Sequence, residues 1–195
     1  TGSPAPERAR LPAISRASPD VTAAVAWNPQ LLTMKQEAGA HEVFSSADIP
    51  GEILDLLVVD TATLEANPNL GKALVGIWYE TIALMQQDDE AGEAARAAMA
   101  QLAGTTPEMF EAQVATTYLY VEPEQAVAAA TDPALIETMT RVRDFSFSQG
   151  LFGQGASSAE AVGMAFPGGK TLGDGNSITL RFDDSFMQMA ADGEL

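Results

Sequence analysis

The sequence predicts an α/β fold, on three observations. Residues 21–85 hold two apolar stretches, Val21–Trp27 and Ile53–Val59, that read as strands. Each adjoins a polar, proline-bearing turn: Asn28-Pro29 follows the first, and Ser45-Ser46-Ala47-Asp48-Ile49-Pro50-Gly51 precedes the second. From Pro68 the apolar period becomes that of a helix. Polar turns at strand ends are where α/β proteins hold small ligands.

In chain order, residues 1–19 carry four prolines and three arginines without periodicity and read as an irregular lead-in. Val21–Trp27 is an apolar strand. Asn28-Pro29 then starts a short helix through Lys35, because proline fits the first turn and asparagine can cap it. Gly39 breaks the chain, and Glu42–Ser45 reads as a brief strand. Ile53–Val59, polar only at Asp55, has the continuous apolarity of a strand covered on both faces. Asp60 and Thr61 are natural caps for a turn of helix over Leu64 and Glu65. Leu70, Leu74, Ile77, Trp78, Thr81 and Met85 fall on one stripe, so the helix beginning at Pro68 has a face with which to cover a sheet.

Beyond this point the pattern is helical. Glu90–Ala103 is alanine-rich and closed by Gly104. Thr106-Pro107-Glu108 starts a helix to about Thr116, and Glu122–Ala130 is another. Asp132-Pro133 opens a helix whose expected inner stripe is Leu135, Met139, Val142 and Phe145, stopped by Gly150. Residues 153–175 are turn-rich, with room for a short helix over 158–166. Ser177–Phe182 alternates as a strand, and Asp184 is placed to cap a last helix over Phe186 and Met189.

Composition narrows the chemistry. Among 195 residues there are 27 acidic and 10 basic ones, a formal charge of −17 with no basic cluster. Binding to nucleic acid or to anionic membranes is not expected of such a chain. There is no cysteine, which removes disulfides, thiolate metal sites and thiol nucleophiles together. That absence suits an exported bacterial protein. No apolar run approaches the roughly 20 residues of a membrane helix. The N-terminus lacks the features of a signal peptide, so a removed signal or an incomplete chain is expected.

His41 is the single histidine, so a Ser-His-Asp triad or a multi-histidine metal site has at most one residue to rest on, and its place after Gly39 reads as surface. Pro167-Gly168-Gly169-Lys170-Thr171 has the ending of a phosphate loop, but Met164 stands where that motif needs glycine, and the segment reads as a turn. Gly150, Gly153 and Gly155 are not preceded by a strand, so a helix C-cap and loop account for them better than a dinucleotide loop. Asp183-Asp184 precedes a helix and reads as capping; Asp88, Asp89 and Glu90 lie at a helix junction. Trp78 is expected in the core and Tyr79 toward a cleft or a neighbouring helix. Met164, Met187 and Met189 read as core fillers. No catalytic group, metal site or cofactor is expected.

Two polar groups remain as candidate ligand contacts. At Trp27 and Asn28 an indole face and an amide stand at one edge, with helix capping as the plainer role for Asn28. Ser45, Ser46 and Asp48 form the second, with a hinge turn held by side chain-to-backbone bonds as the plainer role.

The run AVAWNPQL, followed by VFSSADIPGEILDLLVVDTATLEANPNLGKALVGIWYETIALM, resembles the later part of the nitrate/sulfonate/taurine-type solute-binding proteins of bacterial ABC importers, a group that includes binders of thiamine-precursor pyrimidines. The similarity is good from Val21 to about Gln87 and looser to Leu195. The ending KTLGDGNSITLRFDDSFMQMAADGEL is similar to a subgroup connected with urea or guanidine uptake.

The resemblance implies a type II periplasmic-binding-protein-like fold of two lobes that close over a ligand by a hinge. Residues 20–46 would be a remnant of the second lobe and the hinge crossing, and residues 47–195 the returning part of the first lobe with its C-terminal helices. Trp27 and Asn28 would face the cleft, with Ser45, Ser46 and Asp48 near the hinge. An aromatic face and a carboxylate suit a planar cation such as guanidinium, and neutral urea uses similar groups. The resemblance further implies a non-enzymatic role, periplasmic or membrane-tethered, with an ABC permease as partner. A preceding N-terminal half or a second chain would complete the pocket. The alternatives are a ligand-sensing regulatory domain or an enzyme on the same fold; relatives that make a thiamine pyrimidine use a cysteine-rich motif that this chain lacks.

Overall fold

In the computed structural model, residues 21–195 are described; the expected lead-in over 1–19 lies outside them. The helices are α1 Gln30–Lys35, α2 Thr61–Ala66, α3 Pro68–Met85, α4 Glu90–Leu102, α5 Pro107–Val114, α6 Pro123–Thr131, α7 Pro133–Ser148 and, last, α8 Ser185–Ala191. Three short strands precede α8: β1 Gly163–Phe166, β2 Lys170–Leu172 and β3 Ile178–Arg181. Single 3-10 turns occupy Ser46–Asp48, Ala159–Ala161 and Pro167–Gly169. The protein is a helix-rich mixed α/β chain whose described residues fall in two compact units: 21–48 with 88–118, and 49–87 with 119–195.

Within the first unit, α4 packs on α5, and Arg96 Nε lies 3.3 Å from Glu111 Oε1. Both helices begin where local chemistry places them. Asp89 Oδ1 accepts from the backbone N–H groups of Ala91 (3.1 Å) and Gly92 (3.0 Å), and Thr106 Oγ1 accepts from that of Met109 (3.3 Å). These bonds satisfy donors that a helix start leaves without partners. Gly104, at φ +69°, ends α4 in a conformation costly for any residue with a β-carbon. The expected strands over 21–27 and 42–45 do not form. Val21–Trp27 has no strand beside it among the described residues, and Val25 and Trp27 are 98% and 82% exposed. Apolarity cannot make a strand without a neighbour to take its backbone bonds.

The second unit is built on a three-stranded mixed sheet in the order β2-β1-β3. β1 pairs antiparallel with β2, Met164 facing Leu172, and parallel with β3, Met164 facing Leu180. Leu135, Met164 and Phe166 are its buried centre, with Leu54, Ile136, Met139, Leu172, Leu180 and Phe182 packed around them. The Phe166 and Phe182 rings stack at 5.0 Å. α7 therefore covers the sheet through Leu135 and Met139, while α3, expected there, packs on α2 and α8 instead.

β1 corrects the expectation of a helix over 158–166. A β-carbon on Gly163 would come within 2.2 Å of Asp174 O and 2.5 Å of Ser177 O, so only glycine lets these backbones approach. Pro167-Gly168-Gly169 is the turn it was read as, with both glycines at positive φ, and it leads into β2. β3 falls inside the expected strand over 177–182.

The expected strand over 53–59 does not form either, and Ile53, Leu57 and Val58 are largely exposed. Two helix faces are turned slightly from expectation. On α3, Ile77 and Trp78 are exposed, whereas Gly71 and Ile82 are buried and Tyr79 is half-buried. On α7, Val142 and Phe145 are exposed and Arg143 is buried. At α8 the carboxylate of Asp183, not Asp184, accepts from Ser185 N at 2.9 Å.

Candidate functional site

All five candidate ligand contacts lie in the first unit. Trp27 ends the extended stretch with its indole in solvent. Leu31 N donates to Trp27 O at 3.0 Å, which fixes the backbone of that corner to the start of α1. Asn28 does not cap α1 with its side chain. Its Nδ2 donates instead to Thr116 Oγ1 at 3.1 Å, and Thr116 Oγ1 donates on to Gln113 O at 2.9 Å, just beyond α5. Asn28 Oδ1 is buried and has no hydrogen-bond partner among the described residues. A buried acceptor left this way costs about 1–3 kcal/mol, so a donor brought to it would be favoured.

The second group is closed on itself. Ser45 N donates to Asp48 Oδ2 at 2.8 Å, Ala47 N donates to Ser45 Oγ at 3.3 Å, and Asp48 N donates to Ser45 O at 3.1 Å. These bonds form the side chain-to-backbone turn that was the plainer reading. Ser46 is exposed beside it. Among the described residues, no hydrogen bond joins this turn to Trp27 or Asn28. Lys35 Nζ, the nearest cation in sequence, is engaged by Glu42 Oε2 at 2.8 Å.

The other motifs stay structural. His41 is exposed, and Gly150 and Gly153 are positive-φ turn glycines. Among the described residues no group of three histidine or acidic side chains is arranged to hold a metal ion. No helix among them is long and apolar enough to cross a membrane. Hydrogen bonds from the backbone and hydroxyl of Thr63 hold the Asp60 carboxyl below its ordinary range. Burial, and then the carboxylates of Glu124 and Glu122, push the Tyr79 phenol up.

Two residues went unremarked in the sequence. Thr116 holds Asn28 from a position no local pattern links to it. Arg143, buried on α7, bonds Asp144 Oδ1 through Nε (2.9 Å) and Nη2 (2.8 Å), and Nη2 lies 3.0 Å from Glu160 Oε1. Its Nη1 is buried without a partner among the described residues.

The class that fold and geometry define is a helix-rich α/β protein with an exposed aromatic corner. Neither a scan against protein-family models nor comparison with curated proteins and with solved structures finds a match to this chain.

Proposed function

We propose that this chain belongs to a substrate-binding component of a bacterial ABC importer, on a two-lobed type II periplasmic-binding-protein fold. Its Trp27–Asn28 corner takes a small nitrogen-containing solute of the guanidine or urea kind. The observation that carries the reading is the pairing of an indole 82% exposed with an adjacent amide oxygen that is buried and lacks a donor among the described residues. A planar, donor-rich solute stacks on the first and, after a small rotation of the amide, donates to the second. The resemblance over Val21–Gln87 supports the same reading. In it the protein is periplasmic or tethered outside the cytoplasmic membrane, its partner is the permease, and no catalytic residue or cofactor takes part. The Ser45–Asp48 turn acts at the hinge, and Ser46 and Asp48 are secondary contacts.

A solute that binds only the folded chain raises its thermal midpoint. Guanidine, urea, nitrate, taurine and a thiamine-precursor pyrimidine are to be titrated separately. The expected outcome is a rise with guanidine or urea that Trp27→Ala removes. A midpoint that none of the five moves refutes the reading, and a rise that survives Trp27→Ala moves the site elsewhere.

A further inference from the structure

The sense of the Asn28 amide is set from the end of α5. The residues that flank α1 are both tied to that helix region: Asn28 Nδ2 donates to Thr116 Oγ1 at 3.1 Å, and Gln36 Nε2 donates to Met109 Sδ at 3.7 Å. Thr116 in turn donates its hydroxyl to Gln113 O at 2.9 Å, closer than the 3.5 Å to Ala112 O. A hydroxyl has one proton to give. With that proton on the Gln113 carbonyl, the oxygen that Thr116 turns to Asn28 only accepts, and the amide meets it with its nitrogen. The relay therefore runs one way, from the Asn28 N–H through the Thr116 hydroxyl to a carbonyl in the last turn of α5. Oδ1 is left on the other side of the amide, buried and without a donor among the described residues.

We propose that Thr116 is a positioning residue, which makes the Trp27–Asn28 corner select solutes that carry N–H groups. This rests on the reading of that corner as the solute site. An asparagine amide offers a donor and an acceptor of nearly the same shape, and a half-turn exchanges them. The Thr116 hydroxyl makes that choice, acting through the amide. Guanidinium and urea bring N–H donors to Oδ1. A solute without N–H leaves Oδ1 unmet, and an acceptor left unmet in a closed site costs more than a made bond gains. Thr116 is exposed, so its hydroxyl keeps Nδ2 through the small rotation that brings Oδ1 to the solute.

Titration calorimetry of the purified chain tests the assignment with two pairs of solutes. Urea and tetramethylurea share a carbonyl, guanidinium and hexamethylguanidinium share a charge, and in each pair the second has no N–H. The parent chain should prefer the first of each pair. Thr116→Val keeps the shape and removes the hydroxyl, which frees the amide to turn over. The preference should then narrow by about two- to tenfold, the worth of one neutral hydrogen bond. Comparing preferences between chains cancels the bulk of the methyl groups. Thr116→Ala repeats the test with a smaller side chain, and Thr116→Ser, which keeps the hydroxyl, should retain the parent's preference. In the solute-free chain, the Asn28 side-chain amide resonance, identified by its loss in Asn28→Ala, should shift in Thr116→Val and stay near its parent position in Thr116→Ser.

A parent chain that binds neither urea nor guanidinium overturns the reading of the corner and this proposal with it. A parent that binds both members of a pair alike overturns this proposal alone. So does a preference that the valine and alanine variants leave intact, an equal weakening of both members, or an Asn28 resonance that neither variant moves.

Discussion

Gly163–Phe166 and Ile53–Val59 belong to the same unit, yet the first is the centre of a sheet and the second, among the described residues, has no strand beside it. The second is the more strand-like by composition: it holds six aliphatic residues, where Gly163-Met164-Ala165-Phe166 holds a glycine and an alanine. The difference lies in neighbours. The glycine lets the Asp174–Ser177 turn approach, β2 returns through the Pro167–Gly169 turn, and α7 lays Leu135 over the face. Strand formation in this protein follows the supply of partners for the backbone more closely than side-chain preference.

The largest effect that tests this contrast comes from matched truncations. Phe166→Ala removes a ring that is 5% exposed and stacked on Phe182, and should lower unfolding free energy by about 3–5 kcal/mol in urea titrations. Leu57→Ala, in the bare run, should change it by no more than about 0.5 kcal/mol when measured on dilute protein. Equal losses at the two positions would break the comparison. Gly163→Ala should follow at about 1–3 kcal/mol or more, because the added methyl meets backbone carbonyls that cannot turn aside. An unchanged urea midpoint there would mean that β1 does not depend on the close approach.

The smallest effect concerns the end of the bare run. The Asp60 carboxyl is lowered from its ordinary 3.8, first by the backbone N–H of Thr63 and then by its hydroxyl. A group lowered on folding contributes its stabilisation in full above the unfolded value and loses it as pH falls through the folded one. Amide protection over α2 should therefore hold above about pH 5 and decline below pH 4. Asp60→Asn should flatten that decline in hydrogen-exchange measurements, and a decline of the same size in the variant would exclude Asp60 as its source.

What could be read from the sequence was local. Asp60, Asp89, Thr106 and Asp132 each hold an N–H two or three residues onward, and proline follows at the first position of α3, α5, α6 and α7. Such starts need no information from elsewhere in the chain. Strands do need it, and so the readings of 21–27, 42–45 and 53–59 failed while a glycine-led strand passed unnoticed. The inner faces of α3 and α7 were off by a position because steps of three and four both satisfy a helical stripe. On α7 the choice went to Arg143, which finds carboxylates at Asp144 and Glu160.

The candidate site divides in the same way. Ser45–Asp48 closes through bonds spanning two or three residues, and its turn was foreseen. For Asn28, a candidate ligand contact, capping was the plainer role, but its partner Thr116 lies 88 residues away, beyond the reach of any local pattern.

At residue 71, in the first turn of α3, the Phe186 ring lies where a side chain would begin: a β-carbon there would sit 2.5 Å from two of its carbons. The hydrogen that stands there in place of a side chain thus serves as a keyhole for the last helix of the chain. Whether α8 comes to rest on α3 is decided by an atom laid down long before α8 exists, so the polypeptide carries the seat for its own ending from early in its synthesis.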